Sequence, residues 1–482
     1  MDARDARIAE LEGQLAAREA GRDPRDIARI AELELKVEEL TRQVAMLMER
    51  VERLSRNSGN SDKPPSSDSP GDRAKRQGKE KSGRKRGGQP GHSGSTRALV
   101  PAEEVSEFIH LFPPECESCW KALPQTPDVD AQRFQTTELL PIKPHVTEYV
   151  RHAVVCPGCR YETWAAVGQI PAFGPRLCSV VALLTGVYHL GRRGAVSLLS
   201  DLIGLDISLG AVSAIEGRVS TAVQPVVAEA WAKVEQAPVK HTDGTSWFQT
   251  GLLCSLWTIA TVMATVFKIV ANGKRDTLRP LFGRQNGILV SDRATALRFW
   301  AMESRQICWA HLLRKAIAFS ERAGQTGVFG RELLDYIAIM FSYWDNFKTG
   351  RITRSQLQGH MEPLRAQVEA LLHRGTDAKL RQLSGSFADI LKHRPALWTF
   401  IDVEDVQPTN NHAERELRAF VLWRKRSFGT QSQRGNLFAE RLMTVAHTAR
   451  KQKKNVLTFL TSCCTAARLG VAPPSLFAPC LA

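Results

Sequence analysis

Acidic residues are the first shortage in this chain: 50 Asp and Glu stand against 65 Lys and Arg in 482 residues, a formal net charge of +15. The deficit points to a polyanionic partner, nucleic acid ahead of an acidic membrane surface. Long apolar runs are lacking too. Residues 252–267 are apolar and uncharged, but they are few for a spanning helix, include threonines and are closed by Lys268, so no membrane span is expected. An apolar leader is missing, since MDARDARIAE is charged from its second residue, and the expected compartment is the cytoplasm. Ten cysteines in so long a chain do not make a disulfide framework and suggest reduced thiols with a metal site among them. No Tyr or Ser stands out as a nucleophile. The length allows roughly three domains.

What is present begins with a heptad pattern. Ile30, Val37, Val44 and Val51 recur every seven residues, and Leu33, Leu40, Leu47 and Leu54 follow three positions later. β-Branched residues at one seam position and Leu at the other predict a two-stranded parallel coiled coil over residues 1–56, and hence a homodimer or higher assembly. Ile8, Leu11 and Leu15 suggest an earlier short helix that Gly21–Pro24 interrupts. Residues 57–100 are rich in Gly, Ser, Pro and charge, and read as a disordered basic linker. Its cationic run from Arg73 to Arg86 is either a solvated tether or a sequence-independent phosphate contact.

Cys116-Glu-Ser-Cys119 and Cys156-Pro-Gly-Cys159 form two C-x2-C knuckles. Four thiolates complete the tetrahedron that structural zinc prefers, so residues 101–168 are expected to be a zinc ribbon, with strands at 136–140 and 146–155. Residues 169–236 are helix-periodic. Within them a helix, a turn at Gly204-Leu205-Asp206 and a second helix opening near Ser208 have helix-turn-helix spacing. The second helix offers only Arg218 as a base-reading cation, so a plain helical hairpin fits equally.

Pro238–Val270 carries the chemistry-bearing strand signal. An extended segment delivers Asp243, and the β-rich runs 252–260 and 262–270 read as strands buried on both faces. Asp243 is either a turn residue of an Asp-Gly dipeptide or an acid at a sheet edge that a divalent cation satisfies. A helix over 275–282, a strand over 287–292 ending in Asp292, a helix over 294–301, a strand over 305–309 and a helix over 312–320 follow. Asp292 repeats the position of Asp243 at a strand end and could share its cation; otherwise it caps a turn. Glu414 lies in PTNNHAERELR. It is either the partner of an Asn411 capping box with an Arg418 ion pair, or the third ligand of a two-metal site with Arg415 or Arg418 near phosphate. Arg424, Lys425 and Arg426, then Arg434 in the loop GTQSQRG, suit a nucleic-acid backbone, although a solvated loop has the same composition.

HTDGTSW, GILVSDRATAL, CWAHLLRK, PTNNHAERELR and KRSFGTQSQRGN, in that order, resemble the DDE transposases of the bacterial insertion-sequence family numbered sixty-six. NSGNSDKPPSSD, GGQPGH and the two knuckles resemble that family's N-terminal portion. The resemblance implies a multidomain α/β chain whose RNase H-like catalytic core, residues 237–322 and 406–450, is interrupted by a helical insertion, 323–405, and followed by a C-terminal helix and tail, 451–482. It places the acidic triad on Asp243, Asp292 and Glu414, binding two Mg2+ or Mn2+ ions, and a Cys-x2-His motif on Cys308 and His311. His311 would orient phosphate or water, unless it is a hydrogen-bonded core histidine. The implied partners are the element's terminal inverted repeats, target DNA and separate accessory proteins. Two positions depart from the family: Gly244, where Glu commonly follows the first Asp, and Thr409, where Asp is common. The rival readings are a DNA-binding regulator or inactive relic, and a metal-dependent nuclease without strand transfer.

Overall fold

The computed structural model describes residues 7, 9–12, 24–61, 68–69, 97–128, 130–168, 170–284 and 286–478. The basic run Arg73–Arg86 and GGQPGH lie outside them. The chain divides into two compact units: residues 1–79 with 306–409, and residues 80–305 with 410–482.

In the first unit, α1 (Pro24–Ser55) is one continuous helix. Its heptad seam is open, with Val37, Leu40, Leu47 and Leu54 exposed. After it, the part of the expected linker that is described is held by hydrogen bonds: Ser58 donates its N–H and hydroxyl to the buried Asp68 carboxylate, and Asn60 Nδ2 donates to Glu321 at 2.9 Å.

Four long helices complete this unit; the chain reaches them through elements of the second unit, so all labels are given in chain order. The ribbon region carries the hairpin β1 (Ala153–Val155) and β2 (Glu162–Trp164). The helical module is α2 (Pro175–Ala182), α3 (Arg192–Ile203), α4 (Leu209–Ala222) and α5 (Gln224–Glu235). The sheet is built from β3 (Val239–Gln249), β4 (Leu252–Ala260), β5 (Thr265–Val270) and, after the short helix α6 (Arg275–Leu278), β6 (Ile288–Ser291). Arg305 opens a short edge strand, β7 (Arg305–Ile307). The first unit then supplies α7 (Trp309–Ser320), α8 (Gly324–Lys348), α9 (Arg354–Asp377), α10 (Leu383–Lys392) and the short α11 (Thr399–Asp402). The second unit resumes with α12 (Asn411–Ser427), α13 (Gln433–Lys451) and α14 (Val456–Leu469).

The unit boundary falls at 305/306 and 409/410, so α7 belongs with the helical excursion and not with the sheet. The cause is local. The Trp309 ring packs tilted against Trp398 with centroids 4.8 Å apart, its backbone N–H bonds the Pro408 carbonyl, and Gln306 Nε2 bonds the Leu397 carbonyl. A capping box of Thr353 and Gln356 starts α9.

In the second unit β3 is central. It pairs antiparallel with β4, which pairs antiparallel with β5, and on its other side it pairs parallel with β6. Asp243-Gly244 is therefore strand interior, not a turn. β5 begins later than the apolar run because Thr261 and Ala264 close a tight turn, with Thr261 Oγ1 both donating and accepting. The expected helix over 294–301 is a single 3-10 turn, Thr295–Leu297. One sheet face packs on α12 and α13 through Trp247, Leu256, Phe267, Leu417, Phe420 and Met443. A larger core joins the sheet to α2, α4, α5 and α14.

The strand expected at 136–140 does not form, and of the strand expected at 146–155 only Ala153–Val155 is paired. Their apolar residues have no sheet to bury them: Phe134, Leu140 and Val146 are 86%, 78% and 84% exposed. Among the described residues no helix is long and apolar enough to cross a membrane.

Candidate active site

β3 alternates its side chains, so His241, Asp243, Thr245 and Trp247 share one face. That face meets α12: Trp247 packs edge-on to Phe420 and Trp423, and the His241 ring lies 5.0 Å from His412. The parallel register pairs His241 with Val290. Asp243 lies two residues beyond that pair, inside β3, and Asp292 directly follows the last residue of β6. Glu414 stands in the first turn of α12, the helix that covers this face. All three carboxylates are half-buried.

Two side chains that are not among the expected site residues hold the backbone beside the acids. Asn410 is fully buried, and its Nδ2 donates to the Thr242 carbonyl at 2.8 Å, tying the start of α12 to the strand residue before Asp243. The expected capping box does not form: Asn410, not Asn411, is the N-cap residue, and it makes no side-chain cap bond. Its amide is used on the strand instead. Arg305 is also fully buried, donating to Ser291 Oγ at 3.0 Å and to the Asp292 carbonyl at 3.1 Å. Burial pulls its guanidinium down to about 10, opposed by the Asp292 charge. Asp292 Oδ1 accepts from the Ala294 N–H at 2.9 Å, so both its backbone and its side chain are held.

Behind Glu414 sits a polar cluster. Glu416 accepts from His447 and from Lys451 Nζ at 3.0 Å, and His412 lies 3.6 Å away. Lys451 also donates to the Thr261 carbonyl at 2.6 Å. Burial opposes ionisation of Glu416, but hydrogen bonds from His412 and His447 and the Lys451 charge outweigh it and hold the carboxyl well below its usual range. Burial, with His412 and Lys451, pulls His241 down to about 4, so it is neutral at pH 7.

Gly244 has a structural reason. A Cβ there would lie 2.6 Å from the Trp257 ring, which stands directly across the β3–β4 ladder. The side chain common at this position in the family has no room while Trp257 occupies it.

The remaining expected site residues are dispersed. Arg415, Arg418, Lys425 and Arg426 are exposed along α12. Arg424 is committed to β3, donating to Thr245 Oγ1 and to Ser246. Arg434 donates to Ser213 on α4. The helix–turn–helix of α3 and α4 forms, with Gly204 left-handed at its turn and Ser208 capping α4. The outward stripe of α4 is Gly210, Ala214, Arg218 and Thr221, with one cation and no amide. His311 and Cys308 lie three residues apart at the start of α7 in the other unit, their ligating atoms within 4.8 Å.

Cys116 and Cys156 are built alike. Each cysteine's N–H bonds a carbonyl five residues on at 2.9 Å, and each carbonyl accepts from the N–H four residues on, at Trp120 or Arg160. Both of those residues are left-handed, at φ 59° and 63°. Backbone N–H groups of Ser118 and Cys119, and of Cys159 and Gly158, lower the Cys116 and Cys156 thiols. The structure does not gather three of the four thiols within 4.8 Å of one another.

A family model described as Transposase IS66 family matches residues 171–437. Its span contains Asp243, Asp292 and Glu414. A second model, of a family of unknown function (DUF6444), matches residues 21–98. No curated protein matches the chain.

Proposed function

The chain belongs to the IS66 family of transposases, and from that premise we propose that it binds the ends of its insertion sequence and cuts and joins DNA at Asp243, Asp292 and Glu414. The observation that carries this reading is the strand order: β3, which bears Asp243, pairs in parallel with β6, which Asp292 directly follows, and α12, which bears Glu414, packs on β3 through Phe420 and Trp423. Three half-buried carboxylates on one face repel one another unless cations are shared, and an all-oxygen donor set suits Mg2+ or Mn2+. Divalent cations bound there, two in number, would activate a water or a DNA 3′-hydroxyl and neutralise the leaving oxygen. The chain's own part is placement. Asn410 and Arg305 hold the acids' backbones, and Trp247, Phe420 and Trp423 fix α12 against β3. No covalent protein–DNA intermediate is required. The β3–β6 arrangement, first acid on the first strand and second acid after the fourth, supports an RNase H-like core.

We further propose structural zinc at the two knuckles, self-association through α1, terminal repeats and target DNA as partners along the exposed α12 cations, and work on the bacterial nucleoid. The paired knuckle geometry and the open heptad seam support the first two. His311 keeps its expected place near phosphate as a proposal of the resemblance.

The test is to incubate the full chain, Mg2+, DNA carrying the element's own ends and a target plasmid. Joined product is expected. Cleavage without joining would leave a nuclease, and intact DNA a binding protein or relic.

A further inference from the structure

A second feature of the sheet unit lies at the opposite end of β3 from the acids. There the loop Phe428–Ser432 is zipped to the strand: Thr430 N–H bonds the Phe248 carbonyl, and the Thr250 N–H bonds the Thr430 carbonyl. Gly429 is left-handed at φ 99°, and a Cβ on it would lie 2.1 Å from the Phe248 oxygen, so only glycine allows the contact. This rigid loop forms one wall of an open groove of about 760 Å³, whose other wall is the start of α3 and the segment before it.

The groove is cationic and half-aromatic. Arg192 is neutralised by Glu216, to which it donates from Nε and Nη2. Arg193 is exposed and makes no ion pair among the described residues, and Arg434 bonds only Ser213, so two lining guanidinium charges are uncompensated. His189 stacks on Trp423 at 4.6 Å between ring centres, and its Nε2 is buried with no hydrogen-bond partner. Its backbone is left-handed at φ 59°, a strained state that needs support from its surroundings. Burial, with the Arg426 charge, pulls the ring down to about 4, so it is neutral at pH 7. Helix α3 begins at the groove with Gly191, which supplies no side-chain cap, leaving backbone N–H groups beside Arg193.

Distance gives the groove a meaning. From Asp243 to Gln249, the residue paired with Thr430, β3 advances six residues, about 20 Å. At 3.4 Å per nucleotide step that is about six base pairs. We propose that this groove holds the DNA backbone of the element's end about six base pairs from the bond that is cut, with a phosphate at Arg193. The proposal rests on the reading that Asp243, Asp292 and Glu414 are the cleavage centre.

The probe is a set of duplexes of the element's end, each with one methylphosphonate linkage, bound to the full chain with no Mg2+ or Mn2+ added. Binding without metal separates this site from cleavage, and Asp243→Asn serves as a second background. Linkages five to seven base pairs from the scissile bond are expected to weaken binding by about tenfold. Arg193→Ala is expected to weaken binding to unmodified duplex similarly, to lower the salt slope by about one, and to be indifferent to those linkages. Wild-type binding by Arg193→Ala, or sensitivity only at other linkages, overturns the proposal. The same pattern in Asp243→Asn supports it independently of catalysis. Thermal unfolding of Arg193→Ala is expected to match wild type, because its side chain is exposed.

Discussion

Asp243→Asn in the full chain is expected to cut metal-dependent cleavage of the element's ends by about a thousandfold or more while leaving the fold intact. Asparagine keeps the shape and the acceptor that takes the Gly244 N–H at 2.8 Å, so that bond is retained. It removes one of three like charges on a half-buried face, which relieves repulsion, so thermal stability is expected to hold or rise. What is lost is a negative ligand where charge must be stabilised in the transition state, the kind of term that one group can supply at a hundred- to thousandfold. Asp292→Asn and Glu414→Gln should behave alike, because the proposal gives all three carboxylates to one metal centre. Full activity in any of the three would remove that residue from the centre. A residue that merely begins a turn or caps a helix would show the reverse pattern, with lower stability and unchanged cleavage per folded molecule.

Glu416→Ala is expected to cost roughly 3–5 kcal/mol of stability, the price of breaking a buried ion pair from one side. The carboxylate is 14% exposed and faces Lys451, His447 and His412; its removal strands Lys451, itself 15% exposed. A fall in the thermal midpoint of about 10 °C should follow for a unit of this size. The pH dependence identifies the cause. The folded carboxyl is held below its ordinary value of 4.5, so its contribution is complete above pH 4.5 and is lost as pH falls below it. The difference between wild type and Glu416→Ala should therefore shrink below pH 4.5. Acid also acts through His241: its folded value of about 4 lies under the ordinary 6.5, the unfolded chain takes the proton first, and stability drops as pH falls from 6.5 toward 4. Calorimetry from pH 8 down to about pH 2 reads both effects; a difference that grows in acid would contradict the Glu416 assignment.

The strands around Asp243 and Asp292 were legible in the sequence because unbroken β-branched runs ending in an acid are written locally. Strand pairing is not local. Nothing in HTDGTSW says that β3 lies between β4 and β6, and that placement is what puts the strand of Asp243 beside the strand that Asp292 follows. The Asn pair before α12 read as a helix cap at Asn411, yet it is the Asn410 amide that matters, reaching a carbonyl 168 residues away in sequence. Arg305 gave a fainter signal, a cation opening the short strand RQI; such a side chain is buried only when something accepts from it. The ribbon strands failed for the opposite reason. Val146, Tyr149 and Val150 have strand-forming chemistry but no neighbouring face to bury them. The knuckles were legible, since C-x2-C spacing fixes its own turn.

Equilibrium titration with Mn2+ tests the cleavage centre most directly, because it reads the ligands without requiring DNA. The comparison is between the wild-type chain and one carrying Asp243→Asn, Asp292→Asn and Glu414→Gln together. The three-carboxylate assignment predicts saturable Mn2+ binding in the wild type and its loss in the triple variant, with unfolding midpoints that agree. Equal Mn2+ binding by the two chains would contradict it.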